Sequence, residues 1–176
     1  MAGHEVAPIR LEPWKDDDLA LLYLSNTAEM TAHLGGPESD EQVRTRHRRY
    51  LDLNAAPTGQ MFSIVLESAD VPVGAIGYWE REWRGAEVYE TGWSVHPPFQ
   101  GRGIAAAAAS AVVAEAAATG RHRHVHAFPS IDHPASNAIC RKAGFELVGE
   151  FGFEYPPGRV MRCNDWRYDL GTLRPS

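Results

Sequence analysis

The 176-residue sequence is poor in cysteine, with Cys140 and Cys163 alone, and their spacing matches no metal knuckle. Free thiols are therefore expected, and neither is needed to hold the fold. The chain has no apolar run near the roughly 20 residues that span a bilayer. Its opening Met1-Ala-Gly-His-Glu5 has no signal-peptide core. The expectation is an intracellular, cytoplasmic protein without a membrane partner. Excess positive charge is missing as well: 17 Lys and Arg stand against 23 Asp and Glu, a net charge of −6. That argues against a nucleic-acid surface and is compatible with a cationic amine substrate. No Gly-Lys-Ser or Gly-Lys-Thr occurs, so a P-loop is excluded. No linker or repeat divides the chain, and residues 1–176 read as a single domain able to bury about 70% of its unfolded surface.

What is present is a strand-to-helix turn rich in glycine. Tyr89 to Val95 has strand character, and 104–119 (IAAAAASAVVAEAAAT) is an alanine-rich helix stopped by Gly120. Between them lies Gln100-Gly101-Arg102-Gly103-Ile104-Ala105. The first amides of such a helix lack internal acceptors and carry roughly +0.5 elementary charge, which suits a phosphate. Gly101 and Gly103 let the ligand approach the backbone, and Arg102 adds a cation. The dinucleotide fingerprint fits poorly. It normally follows a first strand and needs an acid about 20 residues later, where this chain has Arg121, His122 and Arg123.

Gln100-x-x-Gly103-x-Ala105 resembles the [RQ]-x-x-G-x-[GA] motif of the GNAT superfamily of N-acetyltransferases. Glu90-Thr-Gly92-Trp93-Ser-Val95 is similar to the preceding strand of that family. Ser136-Asn-Ala-Ile-Cys-Arg-Lys-Ala-Gly144-Phe145 is similar to its later helix ending in Gly-Phe. The N-terminal half, with Ile9-Arg-Leu-Glu-Pro-Trp14, Asp16 to Asp18 and His33-Leu-Gly-Gly-Pro37, is similar to the branch containing ribosomal-protein alanine acetyltransferases. The resemblance covers residues 8 to 170.

The pattern predicts strands at 9–14, 61–67, 73–80, 89–95, 123–128, 145–154 and 159–169, with helices at 16–27, 38–53, 104–119 and 134–143. Glu82 to Ala86 reads as a turn, Ser39 and Asp40 as caps of the second helix, and 123–128 as a parallel neighbour reached by a right-handed crossover. Pro156-Pro157-Gly158 joins the last two strands. The expected class is α/β (α+β), a GNAT-like mixed, mostly antiparallel sheet of about seven strands flanked by about four helices.

Acyl transfer to an amine needs a neutral nucleophile, yet a free alkylamine has a pKa near 10.4, so a base is required. The resemblance puts Glu90 beside the acyl donor, where it serves as that base, directly or through a water, or else accepts hydrogen bonds that shape the site. Glu154 and Tyr155 are further candidates. The resemblance also implies acetyl-CoA as co-substrate. Its pantetheine would lie along Trp93, Ser94 and Val95, with the Val95 amide facing the thioester oxygen. Its pyrophosphate would lie on Gln100, Gly101, Arg102, Gly103, Ile104 and Ala105.

This chain departs from the family pattern where His133, Ser136 and Cys140 stand at the usual Asn, Ser and Tyr positions. The tyrosine acid is absent. Ser136 and Cys140, four apart on one helix face, are left as partners for the departing sulfur, and Asn137 as a contact for pantetheine. Cys140 as an acetyl-carrying nucleophile would need a lowered pKa and an oriented base. Buried helix cysteine is the alternative.

His122, His124 and His126 alternate as on one strand face, but no second ligand cluster accompanies them, so no metal is expected. Arg44, Arg46, His47, Arg48 and Arg49 read as a solvated helix face, or as a contact for an acidic partner or the acyl donor. Trp79, Trp83, Trp93 and Phe99 are core residues or the lining of an acceptor pocket. The reading is an acetyl-CoA-dependent N-acetyltransferase acting on a small amine or peptide N-terminus. The alternatives are a non-catalytic CoA-binding or sensing domain and a scaffold, and a homodimer stays open.

Overall fold

The computed structural model describes residues 6–154 and 157–173. Its strands are β1 (Ile9–Pro13), β2 (Gly59–Leu66), β3 (Val71–Trp83), β4 (Ala86–Val95), β5 (His124–Ala127), β6 (Glu146–Glu154) and β7 (Val160–Asp169). They form one sheet in the order β1-β2-β3-β4-β5-β7-β6. Every neighbouring pair is antiparallel except β4 and β5, which run parallel because α3 (Ile104–Thr119) carries the chain across between them. The remaining helices are α1 (Leu19–Ser25), α2 (Asp40–Asn54) and α4 (Pro134–Lys142). The expected mixed, mostly antiparallel class is the observed one.

Two apolar clusters lie on opposite faces of the sheet. On one, α3 packs over β1, β3 and β4 around Ile64, Ile76, Tyr89, Val112, Val113, Val125 and Trp166. The fully buried Ala108, Ala109 and Ala116 let this helix approach closely, since a larger side chain there would hold it off the sheet. On the other face Trp14, Leu21, Leu22, Val43, Met61 and Ala75 join α1 and α2 to the sheet.

Local chemistry sets the element ends. Ser39 caps α2 in a reciprocal box: its hydroxyl accepts from the Gln42 amide (3.2 Å), and Gln42 Oε1 accepts from the Ser39 amide (2.8 Å). The first helical region is shorter than expected. It is one 3₁₀ turn at Asp16–Asp18 followed by α1, because the Asn26 side chain pairs with both main-chain groups of Glu38 and draws the chain away. β3 is longer than expected. It runs through Glu82 to Trp83 and reverses at Arg84 (φ 51°) and Gly85 (φ 80°), a two-residue turn suited to a hairpin.

Candidate active site

β4 and β5 pair only at Tyr89↔Val125 and Glu90↔His126. Beyond that step the chain after β5 veers to β7, where the Asn164 amide donates to Pro129 O (2.9 Å) and the Ile131 amide to Arg162 O (3.1 Å). The sheet forks. Among the described residues, 91–95 of β4 has no strand on its β5 side. The His96 amide donates to Val73 O on β3 (2.8 Å). Since main-chain direction alternates along a strand, the Ser94 amide also points to β3, while those of Trp93 and Val95 point into the fork. The Val95 carbonyl accepts from Gln100 Nε2 (2.8 Å), tying the strand to the turn that follows.

That turn opens at the fork. A 3₁₀ turn at Pro97–Phe99 leads to Gly101 (φ 72°) and Gly103 (φ 77°), both in the left-handed region. A Cβ at Gly103 would also lie 3.2 Å from Val6 Cγ2. The first helix bond here is from the Ala107 amide to Gly103 O (3.1 Å), so the amides of Ile104, Ala105 and Ala106 precede the internal ladder of α3. Ile104 offers its main chain alone, because its side chain is buried in the core. Ala105 is half-buried, and exposed Arg102 lies over the Phe99 ring (5.5 Å).

Glu90 lies on the face opposite α3. Its Oε2 accepts from Trp79 Nε1 (3.2 Å) and Arg81 (2.7 Å). The Arg81 guanidinium stacks over Trp83 (5.2 Å) and Phe128 (4.8 Å). Trp83, Phe128 and Phe151 pack ring to ring. Trp83 Nε1 donates to Asp165 Oδ2 (2.9 Å), and Asp165 Oδ1 lies 2.6 Å from His126 Nδ1. The four aromatic candidates divide: Trp79 and Trp83 share the face of Glu90, while Trp93 and Phe99 pack against the core beneath α3.

Helix α4 corrects several expectations. Cys140 is fully buried, and burial pushes its thiol up to about 12, so it is neither an accessible nucleophile nor a proton donor facing the fork. Asn137 uses its whole amide internally. Nδ2 donates to Ser130 O and His133 O (both 2.9 Å), and Oδ1 accepts from Asn164 and Trp166 (both 2.8 Å), leaving nothing for pantetheine. Ser136 is half-buried, with its amide donating to His133 Nδ1 (3.4 Å). Among the described residues its hydroxyl makes no hydrogen bond. His133 caps α4 and stacks on His33 (4.4 Å), and burial and that neighbour hold its imidazole below the usual value.

The three alternating histidines do not form one row. β5 begins at His124, and His122 turns instead to Glu80 (2.9 Å) and Tyr89. Among the described residues no group of three His, Cys, Asp or Glu is arranged to hold a metal ion. Arg44 and Arg46 pair with Asp40 and Glu38 along α2, whereas His47 is buried against Trp14. Glu154 is exposed at the end of β6, with its carboxylate accepting the Gly158 amide, and Tyr155 lies outside the described residues. No described helix is long and apolar enough to cross a membrane. Of the hydrogen-bonded partners, Arg81 and Asp165 escaped sequence reading, whereas Trp83 was expected as core or pocket lining. The aromatic-rich stretch around Trp83 was their one local signal.

The sequence matches the acetyltransferase (GNAT) domain over residues 9–146. No curated protein sequence matches the chain. Among solved structures, the fold is similar to the Salmonella typhimurium acetyltransferase that modifies the N-terminal serine of 50S ribosomal protein L7/L12. That comparison has a TM-score of 0.76 and 21% identity, over 94% of this chain and 99% of that one. It is also similar to Vibrio fischeri ribosomal-protein-S5-alanine acetyltransferase (0.76, 14%, covering 95% and 96%). A third is Vibrio cholerae spermidine N-acetyltransferase, solved with CoA and spermine (0.75, 14%, covering 93% and 96%). At these identities the superpositions carry the fold, and the domain match over most of the sequence carries the family: the chain belongs to the GNAT acetyltransferases.

Proposed function

We propose that the protein is an acetyl-CoA-dependent N-acetyltransferase that moves the acetyl group directly to a primary amine, at a protein N-terminus or on a small molecule. One observation carries the reading: the forked edge of β4 opens onto the left-handed turn of Gly101 and Gly103 at the start of α3. An extended pantetheine arm fits that edge as an added strand, bonded by the Trp93 and Val95 main chain. The pyrophosphate then lies at the unpaired amides from Gly101 to Ala106, with Arg102 alongside. By their descriptions, one of the solved relatives named above modifies an N-terminal serine and another acetylates spermidine, which supports that acceptor range. We read residues 1–176 as one catalytic domain working in the cytoplasm.

The Val95 amide, or that of Trp93, supplies a donor for the oxygen on which charge grows as the amine attacks. Glu90, at the last paired step before the fork, presents a carboxylate to the incoming ammonium. As the C–S bond breaks the thiolate leaves. A thiol pKa near 8.5 makes its protonation helpful without being indispensable, and Ser136 is the α4 hydroxyl free to assist. The test is release of CoA thiol from acetyl-CoA across peptide N-termini, polyamines, amino acids and aminoglycosides. Release with one class is expected and names the acceptor. Tight CoA binding without release to any amine would instead favour a sensing role.

A further inference from the structure

Resting on the transferase reading above, we infer that His126, held by Asp165, is the proton acceptor for the attacking amine, facing Glu90 across the mouth of the fork. The two residues are partners in the last paired step of β4 and β5, and they lie on the same face because Val125 and Tyr89, the preceding partners, both enter the core beneath α3. Glu90 is engaged through Oε2 by Arg81 and Trp79, which hold it as a fixed negative charge. That suits it to draw in an ammonium. His126 is set up differently. Its Nδ1 is bonded to Asp165 Oδ1, and the Asp165 carboxylate is anchored on its other oxygen by Trp83 Nε1.

An ionised carboxylate only accepts, so the pairing puts the imidazole proton on Nδ1 and leaves the Nε2 lone pair as the basic site. Nε2 has no hydrogen-bond partner among the described residues. Nor is it a sealed atom, since Arg46 Nε is the sole fully enclosed, unpartnered side-chain nitrogen or oxygen among them. Asp165 is 2% exposed. Burial alone would push its carboxyl up, but the hydrogen bonds from His126 and Trp83 outweigh it and hold the carboxyl below its usual value. A buried carboxylate in that position both fixes the ring and stabilises the imidazolium formed in the reaction.

The step balances. The ammonium gives one proton to His126 Nε2, the neutral nitrogen attacks the thioester carbon, and the C–S bond breaks with its electron pair on sulfur. The second amine proton goes to the departing thiolate, and imidazolium returns its proton to solvent. The charged groups around His126 are Glu90 on β4, Arg81 on β3, His124 on β5, Asp165 and Arg167 on β7, and Arg84 in the hairpin, which acts through Asp165.

The decisive variant is His126→Asn, whose amide nitrogen stands in for Nδ1 as donor to Asp165 but which has no Nε2. Against wild-type enzyme and its best acceptor, kcat should fall about 100-fold, at the lower end of what a general base contributes. CoA affinity by calorimetry and thermal midpoint should stay near wild type. Because the neutral imidazole is the active form, wild-type kcat should rise with pH along an acidic limb. That limb should vanish in His126→Asn. Wild-type turnover with a His126→Asn kcat within threefold and an unchanged limb would overturn the assignment. A wild type inactive on every amine would overturn the transferase reading instead.

Discussion

Along the open edge of β4 and the turn after it, the contacts proposed for the donor are all main-chain groups: the amides of Trp93 and Val95, then those from Gly101 to Ala106. On the opposite face, around Glu90, the proposed acceptor site is made of side chains brought from four strands, with Glu90 from β4, Arg81 and Trp83 from β3, His126 from β5 and Asp165 from β7. The difference teaches how one fold can hold its donor and change its acceptor. A site made of amides survives most side-chain substitutions, whereas a site made of cross-strand side chains is rewritten by one.

The donor half should therefore break only where the backbone breaks. Gly103→Trp forces a bulky residue into a left-handed conformation, at about 1–2 kcal/mol, and drives its Cβ against Val6 at 3.2 Å. The indole would also cover the amides proposed to hold the pyrophosphate. CoA affinity in calorimetry should drop by roughly 100-fold or more, about 2.7 kcal/mol. Unaltered affinity would move the donor away from this turn.

Glu90→Gln tests the other half. It keeps the shape and removes the charge that faces the amine, leaving Arg81 without its carboxylate. Turnover should fall about 10- to 100-fold, in the range of a lost proton-transfer or charge contact, while CoA binding is spared. Full turnover would free Glu90 from any part in the chemistry.

The same division explains what was legible in the sequence. Gly101, Gly103, the alanines of α3 and the order of elements are local signals, and they yielded the strand-to-helix turn and the sheet class. The face around Glu90 depends on contacts between distant positions. Trp83 meets Asp165 across 82 residues and His126 meets it across 39, so neither pairing has a local signature. The turn was expected in the right place but drawn too wide, because Glu82 and Arg84 look like loop residues, while the tight reversal at Arg84–Gly85 keeps Trp83 in the strand and delivers it to that face. Asn137 and Cys140 were placed on the right helix. Spacing alone did not show that the amide of one is saturated and the thiol of the other enclosed.

Asn137→Ala tests whether that side chain is structural. It would orphan Trp166 Nε1, a buried donor, and remove the two bonds that fasten α4 to the Ser130 and His133 carbonyls. A loss of roughly 2–3 kcal/mol is expected, from one or more buried polar groups left unpaired. For a chain of this length that lowers the thermal midpoint by about 4–12 °C. The Michaelis constant for acetyl-CoA should not change at temperatures where the variant is folded. A selective rise in that constant without loss of stability would return Asn137 to the pantetheine.

Cys140→Ala should have the smallest effect of the set. The side chain is fully enclosed among core residues, so the substitution removes one sulfur atom and leaves a small cavity, costing about 1 kcal/mol. Its pH signature has a definite sign. The folded thiol keeps its proton up to about 12, whereas an exposed cysteine loses it near 8.5, so wild-type stability should decline as pH rises above that value. The alanine variant should lack this part of the decline, and its turnover with the best acceptor should match wild type across the neutral range. A fall in kcat would require the enclosed thiol to reach the departing sulfur.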